Sequence, residues 1–132
     1  MNTNEAAYIA GLFDSQGTVE YVKRKQHKKG KKKAYNYWSI RCEMSMPDRE
    51  VMAWVHETIG CGTLNKRDTK KTWRWRCSYR EALTFVKIIW PYAIIKLHKI
   101  EQIIDHYEPR AQELGDNVVD LETERQVRRI WP

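Results

Sequence analysis

The feature that most constrains the fold is the alternation of apolar and polar residues in the segment YNYWSIRCEMSM, residues 35–46. Successive side chains of a β-strand point to opposite faces, so one set packs into a core and the other faces outward. The apolar set is Trp38, Ile40, Cys42 and Met44, and the polar set is Tyr37, Ser39, Arg41 and Glu43. The pattern predicts a half-buried strand, which forms a long hairpin with the preceding run TVEYVKRK.

A second hairpin is predicted over residues 61–79, CGTLNKRDTKKTWRWRCSY, with a basic turn. In its return strand Trp73, Trp75 and Cys77 alternate with Arg74 and Arg76. We expect the apolar three to face the core, so the two arginines join the polar set of the first hairpin on one outward face.

Helical periodicity accounts for most of the remaining chain. The predicted helices cover residues 4–14 with Asn4 as cap, 48–59 with a stripe of Val51, Trp54, Val55 and Ile59, 80–90, and 96–108. The order α–ββ–α–ββ–α–α predicts the α+β class, with a four-stranded antiparallel sheet and every helix on one face. With 132 residues the chain is expected to be one domain, a core over 1–108 followed by a partly helical extension over 109–132.

Positive charge is concentrated on the two hairpins. The net charge is +7, yet residues 18–41 hold nine Lys or Arg against Glu20, and residues 66–80 hold seven against Asp68. A surface with this asymmetry predicts a nucleic-acid partner. No run is apolar enough to span a membrane, so no membrane partner is expected, and three unpaired cysteines favour an intracellular location.

The first helix carries small residues four apart, at Ala6/Ala10 and Ala7/Gly11, and we expect them to line one side where another backbone can approach. The stretch Tyr8–Thr18, YIAGLFDSQGT, resembles the motif of the LAGLIDADG homing endonucleases. Residues 59–62 and 91–96 resemble the family's approaches to its third strand and to its active-site lysine. The resemblance covers residues 5 to about 108.

This resemblance, with one motif per chain, implies a homodimer on double-stranded DNA that cuts a long pseudo-palindromic site by metal-dependent phosphodiester hydrolysis. The implied dimer interface is the motif helix, at Ala6, Ala7, Ala10, Gly11 and Asp14. The implied cofactor is Mg²⁺, or Ca²⁺ or Mn²⁺ in its place, because hard cations prefer anionic oxygen ligands.

At the position of the family's metal-binding acid this chain has Gln16, which offers a neutral oxygen, so we expect metal affinity and cleavage to be weakened. An engineered inactivation and a natural loss of cleavage both fit this residue. By resemblance, the Ser15 carbonyl is a further metal ligand and Lys96 is the catalytic lysine near the scissile phosphate. Asp14 is expected to be a structural acid at the end of the helix rather than a replacement ligand.

The residues expected to line the DNA groove are those of the outward face. They are Glu20, Val22, Arg24, Tyr37, Ser39, Arg41, Glu43, Asn65, Arg67, Arg74 and Arg76. Arginine suits guanine, asparagine suits adenine, and glutamate can accept a hydrogen bond from cytosine. Lysines of the two turns are expected to meet phosphates without reading sequence, namely Lys28, Lys29, Lys31, Lys32, Lys33, Lys70 and Lys71.

Two other functions remain open at this point. Gln16 favours a DNA-binding regulator without cleavage on the same scaffold. The basic outward face of the predicted sheet is equally compatible with an RNA maturase, because nothing in the sequence distinguishes binding to RNA from binding to DNA.

Overall fold

A computed structural model describes residues 1–27, 34–67 and 71–109. Its helices and strands are α1 (Thr3–Gln16), β1 (Gly17–His27), β2 (Ala34–Met46), α2 (Arg49–Ile59), β3 (Thr63–Lys66), β4 (Trp73–Ser78), α3 (Arg80–Ile89) and α4 (Leu97–Tyr107). The predicted element order is confirmed. The extension expected over 109–132 lies, but for its first residue, outside the described residues. Within these ranges, no helix is both long and apolar enough to cross a bilayer.

The four strands form one antiparallel sheet in the order β1-β2-β4-β3. Its buried face carries Ile40, Cys42 and Met44 of β2 and Trp75 of β4, none more than 1% exposed. All four helices contribute residues to the same core cluster. The helices therefore cover one face of the sheet, as predicted, and leave the other face open.

Trp38 departs from the expected burial, because 37% of it is exposed. It lies on the helix side of the sheet, beyond Ile40, where the hairpin extends past most of the core. There its ring stacks on Tyr21 at 4.6 Å between centroids and meets the edge of His106 at 5.5 Å. The pattern predicted its face correctly, but α4 covers the ring only in part, through His106.

The first helix begins at Thr3, earlier than predicted, because Asn2 rather than Asn4 is the N-cap. The Asn2 side chain accepts from the Glu5 backbone N–H at 2.8 Å, and the Glu5 carboxylate accepts from the Asn2 N–H at 3.0 Å. These reciprocal bonds form a capping box.

The two small pairs of α1 lie on different sides, which corrects the expectation that they share one. Ala6 and Ala10 are 7% and 0% exposed, on the core-facing side with Ile9 and Phe13, whereas Ala7 and Gly11 are exposed. One residue along a helix turns the side chain by about 100°, so neighbouring pairs with the same spacing face apart. The bulk of Ile9 and Phe13 decides which pair is buried.

The helix α2 begins and ends where predicted, but its buried residues are not all those of the predicted apolar stripe. Asp48 caps the start, and Gly60 ends the helix in the left-handed conformation, with φ 84°. Met52, Val55 and Ile59 are the buried residues, while Val51 and Trp54 pack only against the margin of the core. The sequence stripe therefore missed Met52.

Gly17 joins α1 directly to β1 and has no room for a side chain. A Cβ built there would overlap the Phe13 ring and lie 2.6 Å from the Phe13 carbonyl oxygen. The Gly17 N–H also bonds to that carbonyl. The close turn thus needs glycine because of crowding by Phe13.

We expect Gly17→Ala to lower the free energy of unfolding by about 2 kcal/mol, the usual cost of overpacking a tight contact. Urea denaturation followed by circular dichroism measures it. Because the ring of Phe13 is much of the obstacle, the double variant with Phe13→Leu should cost less than the sum of the two single changes. Additive costs would contradict the proposed clash.

Candidate nucleic-acid interface

The uncovered side of the sheet, called the open face here, carries the residues predicted to line a DNA groove. Directly paired residues of neighbouring strands share a face, and the register pairs Glu20 with Arg41 and Glu43 with Arg76. The same face holds the predicted residues Glu20, Val22 and Arg24 on β1, Tyr37, Ser39, Arg41 and Glu43 on β2, Asn65 on β3, and Arg74 and Arg76 on β4. Arg67 directly follows β3.

Further polar residues of the open face were missed in the sequence. Register places Thr18, Tyr35, Ser45, Thr63 and Ser78 there. The same two-residue period that identified Arg41 continues to the ends of the strands, so this signal was available.

The structure describes one of the lysines expected at phosphates. Lys28, Lys29, Lys31, Lys32, Lys33 and Lys70 lie outside the described residues, and Lys71 is described and exposed.

Two arginines of the open face, Arg24 and Arg41, pair with the same carboxylate. Glu20 forms ion pairs with Arg24 and, at 3.1 Å, with Arg41. It also accepts a hydrogen bond from the Ser39 hydroxyl at 2.7 Å. The bond from Ser39, followed by that from Arg24, lowers the pKa of Glu20 from its ordinary value of 4.5. The carboxylate is therefore held in its charged form beside two guanidinium groups.

A second pair lies further along the same face. The Arg76 Nε donates to the Glu43 carboxylate at 3.0 Å, and a terminal nitrogen of Arg76 lies 2.9 Å from the same oxygen. Arg74, in contrast, forms no ion pair with any residue of the described ranges. The open face thus contains arginines paired with a carboxylate and one, Arg74, that has no ion pair among the described residues.

At the C-terminal end of α1, Asp14 ties the motif helix to the loop that precedes α4. Its carboxylate accepts from the backbone N–H groups of Ile94 at 2.8 Å, Ile95 at 3.2 Å and Lys96 at 3.2 Å. The Lys96 ammonium in turn donates to the Asp14 carbonyl at 3.1 Å. These bonds give Asp14 a structural role and place Lys96 at the end of the helix.

Gln16, the last residue of α1, is exposed there. The Ser15 hydroxyl is turned back along the helix, where it donates to the carbonyls of Gly11 and Leu12. The oxygen ligands that this end of α1 offers from Gln16 and Ser15 are neutral, and the carboxylate of Asp14 is engaged by three N–H groups. Among the described residues no group of three or more His, Cys, Asp or Glu could hold a metal ion. This donor set does not fit tight binding of Mg²⁺.

A separate stripe of α1 faces solvent. Its residues are Asn4, Ala7, Tyr8, Gly11 and Ser15, spaced three or four apart, and it is called the α1 stripe below. Tyr8 is 58% exposed and meets Trp54 of α2 edge-on at 5.6 Å. The predicted interface residues Ala7 and Gly11 lie on this stripe, whereas Ala6, Ala10 and Asp14 are used inside the protomer.

These features define a class of protein. Its helices and strands follow the order αββαββα, the helices cover one side of the sheet, and the other side is open and polar. Its first helix ends beside a lysine, here Lys96. A family model described as LAGLIDADG endonuclease matches residues 9–108. Since that match spans most of the chain, the protein belongs to the LAGLIDADG endonuclease family. No curated protein sequence matches it.

Solved structures of homing endonucleases share the fold. I-CvuI, in complex with an uncleaved target in the presence of magnesium, superposes with a TM-score of 0.67 at 15% identity, covering 77% of this chain and 64% of that chain. The archaeal intron-encoded I-Vdi141I with DNA gives 0.63 at 15% identity over 77% and 65%. I-SmaMI, bound to uncleaved DNA with calcium, gives 0.61 at 13% identity over 81% and 39%. The chain thus spans less than two thirds of these relatives, and the likeness shows the fold.

Because the pKa of Glu20 is lowered in the folded protein, its contribution to the free energy of unfolding depends on pH. A carboxylate with a lowered folded-state pKa stabilises the fold above its unfolded pKa, near 4.5, and this contribution is lost as pH falls through the folded value. We expect Glu20→Gln to lower the free energy of unfolding at pH 7, and we expect this difference from the wild type to shrink as the pH falls below 4.5. Urea denaturation at several pH values measures both. A difference that grows below pH 4.5 would contradict the assignment.

Proposed function

We propose that this protein is a sequence-specific, DNA-binding homing-type endonuclease that acts as a homodimer and in which Gln16 weakens metal-dependent cleavage. The observation that carries the DNA-binding part is the open face, where arginines, an asparagine and hydroxyl groups share one side of a four-stranded sheet. A two-stranded ribbon fits the major groove, and these side chains match the donors and acceptors of base edges.

The α1 stripe supports a homodimer. Ala7 and Gly11 leave no bulk on this side, and a Cβ added at Gly11 would meet nothing within 4 Å in its own chain. A second copy related by a two-fold axis could bring its own α1 close there, with Tyr8 and Trp54 at the margin. The two open faces would then follow one duplex, and a two-fold dimer reads a nearly palindromic site.

We expect Gly11→Arg to convert a dimer into a monomer, because the long side chain fits the protomer but separates the paired helices. Sedimentation equilibrium should show association at least about tenfold weaker, as for the loss of an interface centre. Glu57→Arg, on the exposed side of α2, is the control for added charge and should remain dimeric. A wild-type monomer, or a Gly11→Arg dimer, would contradict the proposal.

The cleavage centre is proposed at the end of α1, where Lys96 is held beside Asp14 and would approach the scissile phosphate. With an acidic residue in place of Gln16, this end of α1 would hold a divalent metal, which would supply water activation and stabilisation of the leaving oxygen. Gln16 keeps the length of a glutamate while removing its charge. This change favours a second candidate function, a DNA-binding protein of the same scaffold that does not cut.

We expect Gln16→Glu and Gln16→Asp to raise the rate of double-strand cleavage in Mg²⁺ by at least about a hundredfold, since each restores an anionic ligand. The substrate is a duplex selected by the wild type from a random library, and gel analysis measures the rate. Gln16→Asn, which is neutral, is the control and should stay inactive.

Tight binding without cutting in both acidic variants would support the non-cleaving DNA-binding function. Failure of the wild type to select any duplex would contradict both functions.

A further inference from the structure

We propose that Glu20 is a positioning residue for sequence recognition: it holds Arg24 and Arg41 in the orientation that reads guanine, and does not itself contact a base. The inference rests on the proposed DNA-binding function and deepens it.

The geometry places one carboxylate at the centre of a three-partner network. Arg24 lies four residues along β1 and engages Oε1, while Arg41, paired directly across the hairpin, lies 3.1 Å from Oε2. Ser39 donates to the same Oε2 at 2.7 Å. Side chains from both strands of the hairpin therefore converge on Glu20.

Exposure separates the roles within this network. The Glu20 side chain is 18% exposed, against 34% for Arg41 and 50% for Arg24. The two arginine side chains are thus more accessible to an incoming duplex than the Glu20 side chain is. Both Glu20 oxygens are already engaged, so little acceptor capacity is left for a cytosine amino group.

Anchoring matters because an arginine fork reads guanine through two parallel hydrogen bonds, which require a fixed plane. An unanchored guanidinium samples many rotamers and can turn to the nearest phosphate instead. Holding it beforehand removes that ordering cost from the binding step. The negative charge of Glu20 also repels phosphates, so it lowers affinity for DNA of any sequence.

Anchoring by a negatively charged residue predicts two opposite effects on DNA binding, which a loss of folded structure would not produce. Removing the Glu20 charge should reduce discrimination between sequences while raising affinity for random DNA. Arg74 serves as an internal reference, because it lies on the same face without an ion pair to a described residue.

The experiment compares the full chain and its Glu20→Gln variant by selection from a random duplex library, with sequencing of the bound pool. Glu57→Gln removes one negative charge from α2, away from the open face, and is the matched control. Arg24→Ala/Arg41→Ala and Arg74→Ala identify the base positions that each arginine reads. Fluorescence anisotropy with a random-sequence duplex at several salt concentrations measures non-specific affinity.

We expect Glu20→Gln to lower base preference about tenfold at the positions assigned to Arg24 and Arg41, roughly the value of one bidentate contact. Positions assigned to Arg74 should not change. Affinity for random duplex should rise severalfold, with a salt dependence steeper by about one phosphate contact. Combining Glu20→Gln with Arg24→Ala/Arg41→Ala should cause no further loss of preference.

Unchanged base preference in Glu20→Gln would overturn the inference while leaving DNA binding intact. A further loss of preference in the combined variant would overturn it as well, since Glu20 would then read a base itself. Binding that weakens equally for all sequences, including random duplex, would reduce Glu20 to a structural role, because the inference expects random duplex to bind more tightly. If the wild type selects no sequence, the proposed function fails and the inference fails with it.

Discussion

One-sided burial of the antiparallel sheet is the constraint on which the rest of the structure depends. Ile40, Met44 and Trp75 are almost completely covered by the helices, and a slip of one residue in register would move them to the solvent face. Their burial therefore fixes the pairing of β1, β2 and β4. The same register decides that Arg41 and Arg76 share the open face and meet Glu20 and Glu43 across the strands.

The end of α1 is the second feature on which the site depends. A sharp turn at Gly17 lies there beside the hydrogen bonds that connect Asp14 to a distant loop. Gly17 lets β1 leave the helix directly against Phe13, and the Asp14 carboxylate receives three N–H groups from the loop before α4. Lys96 reaches this point although it lies some eighty residues further along the chain. The end of α1 is thus fixed by Asp14, and the exposed residue beside it, Gln16, supplies no charge.

Acidic residues on a cationic face lower its attraction for a polyanion, yet here they order the guanidinium groups. Glu20 pairs with Arg24 and Arg41, and Glu43 pairs with Arg76. In the proposed DNA complex, such pairing would exchange some non-specific affinity for selectivity. The proposed cleavage defect and the proposed recognition are separable, because Gln16 and Glu20 lie on different elements.

The sequence by itself determined the order of helices and strands, the two faces of the sheet and the family, because periods of 2 and 3.6 residues and the motif are local properties. It did not determine that Ala6 and Ala10 turn inward, that Met52 replaces Val51 in the core, or that Trp38 is only partly covered by α4. Nor did it reveal the partners of Asp14 and Glu20. Only the tertiary structure decided these, because they depend on packing and side-chain contacts between segments far apart in the chain.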